Sequence, residues 1–405
     1  MDTIKLFEAA LDIRSPWSIA NCDFSAEDRR LVIQMVFAEG SRFACPGCHA
    51  EGCAVHDTKP HRWRHMDFFQ HRAFIEARVP RVRCDACDTV RMVDVPWARK
   101  NSGFTLLMES LIMELVRHMP VKPLARTMRV SDGALWRVIA FHVERAIATM
   151  DLSEVTQVGM DETSARRGHE YISVFYDLIK RRLIHVAEGK DATVVEDFVK
   201  SLTAHGGKAG AITEASCDMS PAMTKGIKEH LPKAEITFDK FHVFKLLTDA
   251  IDKVRRGEMR NDKTLKGSRY SLIKNPENLT AHQRKILEDV QQRNSKLAEA
   301  YRLKETFRDV YAQANKSDAR GMMKGWVTSA LRSKIPAMVT AATTIRKRWK
   351  GILRWYDSRI TNAVMEALNS LIQAAKRKAR GYRTMRNLRL IAFLIGGKLD
   401  LKFSP

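Results

Sequence analysis

Between residues 72 and 79 the chain alternates: Ala73, Ile75, Ala77 and Val79 are interleaved with Arg72, Phe74, Glu76 and Arg78. A period of two is that of a strand with one packed face. The period changes over 105–118, where Leu106, Leu107, Leu111, Ile112, Leu115 and Val116 recur at helical spacing. Val121–Met128 and Asp132–Ile139 read as two further short helices around the tight turn Arg129-Val130-Ser131, with Ser131 available as N-cap. This is a helix-turn-helix pattern. It would set Asp132–Trp136 near a major groove with Arg129 and Arg137 close to phosphates. A helical hairpin that packs without touching DNA is the alternative.

From residue 155 the pattern returns to short β-type runs. Val155–Asp161, His169–Tyr176 and Leu183–Val186 read as an antiparallel meander. A helix over Ala192–Leu202, a strand over Ala211–Cys217, a helix over 222–231, a strand over Glu235–Phe238 and another helix follow. Three hairpin strands and then alternating helix and strand is the order of an RNase H-like sheet. Residues 256–350 are charged helical sequence, such as Ala281–Arg308, with Trp326, Trp349 and Trp355 toward the end. They read as an all-helical insertion that widens the DNA contact surface or adds dimer contacts, against the alternative of a solvated spacer. Asp357–Ala375 has no Gly or Pro and reads as a helix. Its buried stripe is Ile360, Val364, Leu368, Leu371 and Ile372, whereas Asn362, Glu366, Asn369 and Gln373 share another face.

Composition adds scale and a partner. A chain of 405 residues with 45% apolar content is multidomain and able to bury a core, which excludes disorder as a description of the whole. No apolar run reaches the roughly 18 to 20 residues of a membrane span, and Met1–Arg14 lacks a secretory apolar core. The expectation is a soluble, cytoplasmic protein with no membrane partner. A net charge of +22 points to a polyanion, because neutralising phosphates releases counterions. Residues 341–405 hold 15 Lys+Arg against 3 Asp+Glu, whereas residues 1–100 hold 15 against 14. The apolar run Ile391–Ile395 beyond the basic stretch implies folded structure there and not a loose tail.

Four of the seven cysteines form two knuckles, Cys45-Pro-Gly-Cys48 and Cys84-Asp-Ala-Cys87. Joined by a hairpin-length segment, they can surround one tetrahedral zinc, which takes sulfur at about 2.3 Å. Residues 41–95 therefore read as a zinc ribbon. The zinc is structural, since four cysteines leave no open coordination position. Disulfides are disfavoured in a basic chain without an export signal. Cys53, His49 and His56 lie close enough for a ligand swap. Cys22 and Cys217 have no paired spacing and read as buried small apolar residues.

Asp161 closes the first strand of the meander and Asp218 follows the fourth, so two carboxylates would project from neighbouring strand ends. A surface acid at a strand end is common, and the third acid matters more. Glu366 is the only acid between Asp357 and Asp400, either paired with the surrounding cations or held on its helix as a divalent-ion ligand. Asp239 also follows a strand and competes with Asp218, while Glu162 points away from Asp161 if the strand continues. His242 lies three residues after Asp239, either as active-site support or as a core histidine among Phe238, Phe241, Val243 and Phe244.

Four separated blocks carry a resemblance: Val158-Gly-Met-Asp161-Glu-Thr163, Ser216-Cys-Asp218-Met-Ser220, Phe238-Asp-Lys-Phe-His242-Val243, and Asn362-Ala-Val-Met-Glu366-Ala-Leu-Asn369 running on to Lys376-Arg-Lys-Ala-Arg-Gly-Tyr-Arg383. In that order they resemble the insertion-sequence transposases of the ISL-three family over nearly the whole chain. The resemblance implies a multidomain α+β protein: a zinc ribbon, a helix-turn-helix, and an RNase H-like catalytic core with an all-helical insertion. It implies Asp161, Asp218 and Glu366 as a DDE triad for Mg²⁺ or Mn²⁺, with water first hydrolysing the element's end and the freed 3′-hydroxyl then attacking target DNA. Related DDE enzymes carry an Asp-x-x-His element near the scissile strand, where Asp239 and His242 fall. The basic run Lys376, Arg377, Lys378, Arg380 and Arg383 would grip phosphates, with Tyr382 stacking or packing. The implied partners are terminal inverted repeats, target DNA and a second copy of the chain as a DNA-bound dimer, in a nucleoid-associated setting. A non-catalytic zinc-containing DNA-binding regulator derived from a transposase is the competing reading. The expected divisions are 1–100 (N-terminal segment and ribbon), 101–150 (helix-turn-helix), 151–255 (first part of the core), 256–350 (insertion) and 351–405 (Glu366 helix and basic segment).

Overall fold

The computed structural model describes residues 3–166 and 170–401. These form two compact units, one of residues 3–146 with 400–401 and the other of residues 147–166 with 170–399.

In the first unit, α1 (Thr3–Ala10) precedes five strands: β1 (Trp17–Ser25), β2 (Arg30–Phe37), β3 (Val55–Arg64), β4 (Arg72–Cys84) and β5 (Thr89–Met92). The sheet order is β1-β2-β4-β3, with β5 paired to β4. The alternation predicted for β4 is present, with Ala73, Ile75, Ala77 and Val79 all buried. Strand β4 pairs parallel with β2 through Ile33↔Ile75 and antiparallel with β3 through Trp63↔Ile75. The ribbon is thus the end of a larger sheet whose first two strands the sequence pattern did not announce. Val32 interrupts the alternation of Leu31, Ile33 and Met35, and all four are buried.

Helices α2 (Leu106–Val116), α3 (Val121–Met128) and α4 (Asp132–Ala148) follow. Thr105 caps α2 by accepting the Met108 N–H at 3.3 Å, and Ser131 caps α4 by accepting the Ala134 N–H at 3.2 Å. Arg129 adopts a left-handed conformation between α3 and α4, which turns the chain. Helix α4 runs well past the predicted Ile139 because Ala140, Val143 and Ala146 continue its buried stripe. Glu109 on α2 is fully buried and accepts from Arg99 Nε at 2.8 Å and Ser102 Oγ at 2.6 Å, with His142 Nε2 of α4 at 2.6 Å. Burial alone would raise its carboxyl, but His142, Arg99 and Ser102 together outweigh this and hold it below its ordinary value.

The second unit is built on β6 (Gln157–Arg166), β7 (Glu170–Asp177), β8 (Arg182–Glu188), β9 (Glu214–Cys217) and β10 (Glu235–Phe238), ordered β10-β9-β6-β7-β8. β6, β7 and β8 are antiparallel, whereas β6, β9 and β10 are parallel. This is the RNase H-like arrangement, with α5 (Thr193–Ala204) and α6 (Pro221–His230) in the crossovers. Strand β6 runs five residues past Asp161, to Arg166, because β7 stays paired to it that far. Asp161 therefore does not end its strand. His169 lies outside the described residues.

Helix α7 (Lys240–Glu258) opens the insertion, which continues through α8 (Arg269–Ile273), α9 (Ala281–Arg293), α10 (Ser295–Ala312), α11 (Lys316–Arg332) and α12 (Pro336–Lys347). It has its own apolar core, including Phe307, Met323, Ala330 and Met338, and the buried Trp326 indole donates to the Leu303 carbonyl at 2.6 Å. A solvated spacer is excluded. Short helices α13 (Trp349–Leu353) and α14 (Trp355–Ser358) lead back to α15 (Ala363–Lys378) and α16 (Met385–Gly396). The Ile391–Ile395 run lies in α16, where Ile391, Ala392, Phe393 and Leu394 are buried. Among the described residues no helix is long and apolar enough to cross a membrane.

His185 on β8 is buried between the rings of Phe175 and Phe198, and neither of its ring nitrogens has a hydrogen-bond partner. Burial, reinforced by Arg389 and His205, pushes its pKa down to about 4. An unfolded chain takes up this proton near pH 6.5, so the fold loses stability as pH falls from about 6.5 to about 4, by roughly 3 kcal/mol in total. The melting temperature should drop between pH 7 and pH 5. In His185→Leu that drop should shrink; an unchanged pH dependence would show that His185 is not its source.

Candidate active site and metal centre

The four-cysteine cluster is assembled by the turn at 45–48 and by the end of β4 with the turn into β5. Among the described residues, Cys45, Cys48, Cys84 and Cys87 are the only group of three or more metal-ligating side chains whose ligand atoms all lie within 4.8 Å of one another. Cys45 Sγ is 3.7 Å from Cys87 Sγ, and Cys48 Sγ is 3.5 Å from Cys84 Sγ. A tetrahedron of sulfurs about 2.3 Å from zinc has edges of about 3.8 Å, so the spacing suits that ion. Backbone N–H groups of Cys48 and Gly47 draw the Cys45 thiol down to about 6, toward the thiolate that a metal needs. Cys53 is buried nearby, but its Sγ faces the Ala50 carbonyl at 3.5 Å, and neither it nor His49 or His56 joins the set. Cys217 is buried and Cys22 partly so, and neither belongs to the cluster.

The acids gather where parallel strands end. Gly159 of β6 is level with Ser216 of β9, and continuing that register two residues brings Asp218 beside Asp161. Phe238 of β10 is level with Cys217, and the Asp239 N–H donates to the Cys217 carbonyl at 3.0 Å, so Asp239 stands beside Asp218. Three carboxylates thus lie at one level on adjacent strands, at the carboxyl edge where open α/β sheets bind ligands. Asp218 accepts the Ser220 N–H at 2.9 Å, and Asp239 caps α7 by accepting the Phe241 N–H at 2.9 Å. His242, in the first turn of α7 and half-buried, points Nε2 at Asp239 Oδ2 across 3.7 Å. Burial raises the Asp161 carboxyl above its usual range. The Glu162 N–H and His242 oppose this rise, and Asp218 and Asp239 reinforce it. Glu162 is also raised, by burial first and then by Asp218, so it senses the same cluster.

Helix α15 lies across this edge. Asn362 accepts from Ser216 Oγ at 2.7 Å, Asn369 Nδ2 donates to Asp161 Oδ2, and Gln373 Nε2 donates to Thr163 Oγ1 at 2.5 Å. The polar face predicted for this helix therefore meets the sheet. Glu366, exposed, sits on it four residues after Asn362 and three before Asn369. The predicted apolar stripe needs correction. Leu371 is 51% exposed, and the buried contacts are Met365 and Ile372. Met365 takes that place because it packs over Gly159, where a side chain's Cβ would overlap the Met365 sulfur.

The basic residues divide by environment. Arg377, Lys378, Arg380 and Arg383 are exposed, and Lys376 donates to the Ser164 carbonyl at 2.5 Å. Tyr382 is partly buried, which pushes its hydroxyl up to about 12. In the helix-turn-helix Arg137 is exposed, whereas Arg129 pairs with Asp67 and donates to the Gln70 carbonyl at 3.2 Å. Arg129 thus braces the turn. Sequence spacing had no means of showing Asp67 as its partner. Tyr176 carries no mark in the sequence, whereas Asn369 is marked by the helical face and the motif block that it shares with Glu366, though not as a partner of Asp161.

A zinc-ribbon and helix-turn-helix unit with an RNase H-like acidic edge is the build of a DNA-processing enzyme. The transposase family model of ISL3 elements matches residues 158–392, its helix-turn-helix model matches 93–143, and a zinc-finger model of IS204/IS1001/IS1096/IS1165 transposases matches 41–87. The chain belongs to the ISL3 transposase family. It is 27% identical to the transposase for insertion sequence element IS1557 of Mycobacterium tuberculosis, over 97% of this chain and 96% of that protein. It is also 27% identical to the transposase for IS1001 of Bordetella parapertussis, over 84% of this chain and 85% of that one.

Proposed function

We propose that the chain mobilises an insertion sequence, binding its terminal inverted repeats and carrying out DNA cleavage and strand transfer at Asp161, Asp218 and Glu366. The observation that carries this reading is the docking of α15 across the strand ends. Met365 to Asn369 is matched by Gly159 to Asp161, four helical residues for two strand residues. The same step from the Asn362–Ser216 contact would carry Glu366 toward Asp218, which supports the reading of Glu366 as the third acid. Three hard oxygen donors suit Mg²⁺ or Mn²⁺, and the rise of the Asp161 carboxyl, due to burial first and to Asp218 and Asp239 after it, is opposed by a bound cation. Bound there, two divalent ions supply stabilisation of charge on the attacking and leaving phosphodiester oxygens.

The chain's own groups do the rest. Lys376, Arg377, Lys378, Arg380 and Arg383 hold phosphates beside the acids, Arg137 holds them at the helix-turn-helix, and Tyr382 packs the basic loop. Asp239 and His242 support the edge, with Asp239 capping α7. The divisions at residues 100 and 150 then separate ribbon, helix-turn-helix and core, whereas those expected at 255 and 350 fall inside α7 and α13, so the insertion is better taken from the start of α7 to the end of α12. Two copies act together on DNA in the nucleoid of the cytoplasm.

The test is a strand-transfer assay with DNA flanking the gene, a target plasmid and Mg²⁺. Joined product is expected. Binding without cleavage would identify a DNA-binding regulator instead, and cleavage without joining a nuclease.

A further inference from the structure

Asp161 is held by a chain of contacts that begins in the core. Tyr176 on β7 is fully buried, and its hydroxyl donates to Asn369 Oδ1 at 2.5 Å. The other end of the same amide, Asn369 Nδ2, donates to Asp161 Oδ2, while the Glu162 N–H donates to Oδ1 at 2.8 Å. An ionised carboxylate can only accept, so the amide must turn its NH₂ toward Asp161, and its oxygen is left for the one hydroxyl that can donate to it. One orientation satisfies all three groups. Register explains why they meet. Tyr176 is opposite Gly159 and Val174 opposite Asp161, so the period of two sets Gly159 and Asp161 on one face. Four helical residues advance about 6 Å and two strand residues about 6.8 Å, so α15 tracks β6 with Met365 over Gly159, Asn369 over Asp161 and Gln373 over Thr163. Gly159 lets the helix come close enough for a short amide to reach the strand. Each Asp161 oxygen then has one fixed donor and keeps lone-pair capacity for a ligand.

We infer that Tyr176 and Asn369 form a relay that aims the Asp161 carboxylate, making Asn369 a positioning residue for divalent-cation binding; this rests on the reading of Asp161 as a cation ligand. Partners that orient a metal-binding side chain tune affinity through it.

The experiment measures Mn²⁺ binding by the full chain on end DNA, by electron paramagnetic resonance of free Mn²⁺, with cleavage as a second readout. Asn369→Leu should weaken Mn²⁺ binding by about 10- to 100-fold. Tyr176→Phe, which removes one oxygen, should weaken it by roughly 3- to 10-fold. The double variant should bind no worse than Asn369→Leu alone, since the hydroxyl acts only through the amide. End-DNA affinity should hold in both variants and the melting temperature in Tyr176→Phe, whereas Asn369→Leu should melt somewhat lower because it leaves the buried Tyr176 hydroxyl without its partner; if Asn369→Leu does not fold, Tyr176→Phe decides the matter alone. Asp161→Asn separates the two ideas. If it loses Mn²⁺ while Tyr176→Phe and Asn369→Leu bind normally, or if their losses simply add, the relay is wrong and the acid reading stands. If Asp161→Asn binds Mn²⁺ like the parent, the acid reading itself falls.

Discussion

Glu366→Gln should leave end-DNA binding intact and lower Mg²⁺-dependent cleavage by about 10³-fold or more, since a cation's stabilisation of phosphoryl charge amounts to several kcal/mol. The substitution is suited to the question because the side chain is exposed and the change is isosteric. No packing is lost, and glutamine keeps the helix propensity of glutamate. What disappears is one negative charge in a segment otherwise rich in Lys and Arg. If Glu366 were merely a counter-charge for that segment, its removal would strengthen phosphate contacts and cleavage would survive. Asp218→Asn should behave like Glu366→Gln. Asp239→Asn should be milder, because asparagine caps α7 as well as aspartate does and the helix start is kept. A reversal, with Asp239→Asn inactive and Asp218→Asn active, would move the second acid from β9 to β10.

Legibility of this fold in the sequence followed the range of the determining contact. Strand β10, helix α3 and the Ser131 cap occur at the predicted residues because short-range period and capping chemistry decide them. The cysteine pairs were readable for the same reason: within each knuckle the ligands are three residues apart. Strands β1 and β2 form a local antiparallel hairpin, but the period of two is blurred in both: β1 bulges between Ile19 and Asn21, and in β2 Leu31, Val32 and Ile33 are all buried, with β4, about forty residues away, on its other edge. The extension of β6 depends on β7, and the real apolar contact of α15 depends on a glycine in another element. Among the site residues, periodicity could put Glu366 and Asn369 on one helical face. That the face would meet β6 needed the sheet order, and that Asn369 would grip Asp161 needed both.

Cys84→Ser combined with Cys87→Ser should reduce zinc from one ion per chain to none and open the end of the first sheet. Metal binding to such a ribbon is folding free energy, on the order of 10 kcal/mol in small zinc domains at neutral pH. Here the effect on the whole unit should be smaller, because β4 also pairs with β2 and β3 and carries Ala73, Ile75, Ala77 and Val79 into a metal-independent core. Loss should therefore be local. The turn at 45–48, tied down by the cluster, and β5, paired only to β4, should become the first sites of proteolytic cutting, while Phe43 keeps its packing on Trp17 and Phe37. End-DNA affinity should fall, while the second unit, with its own sheet and buried core, keeps its melting transition. Cys53→Ser is the control. That residue is equally close in sequence and buried, yet lies outside the four-sulfur set, so its zinc content should stay at one. Zinc retained at full stoichiometry in the double variant, or lost in Cys53→Ser, would assign the ion to a different ligand set.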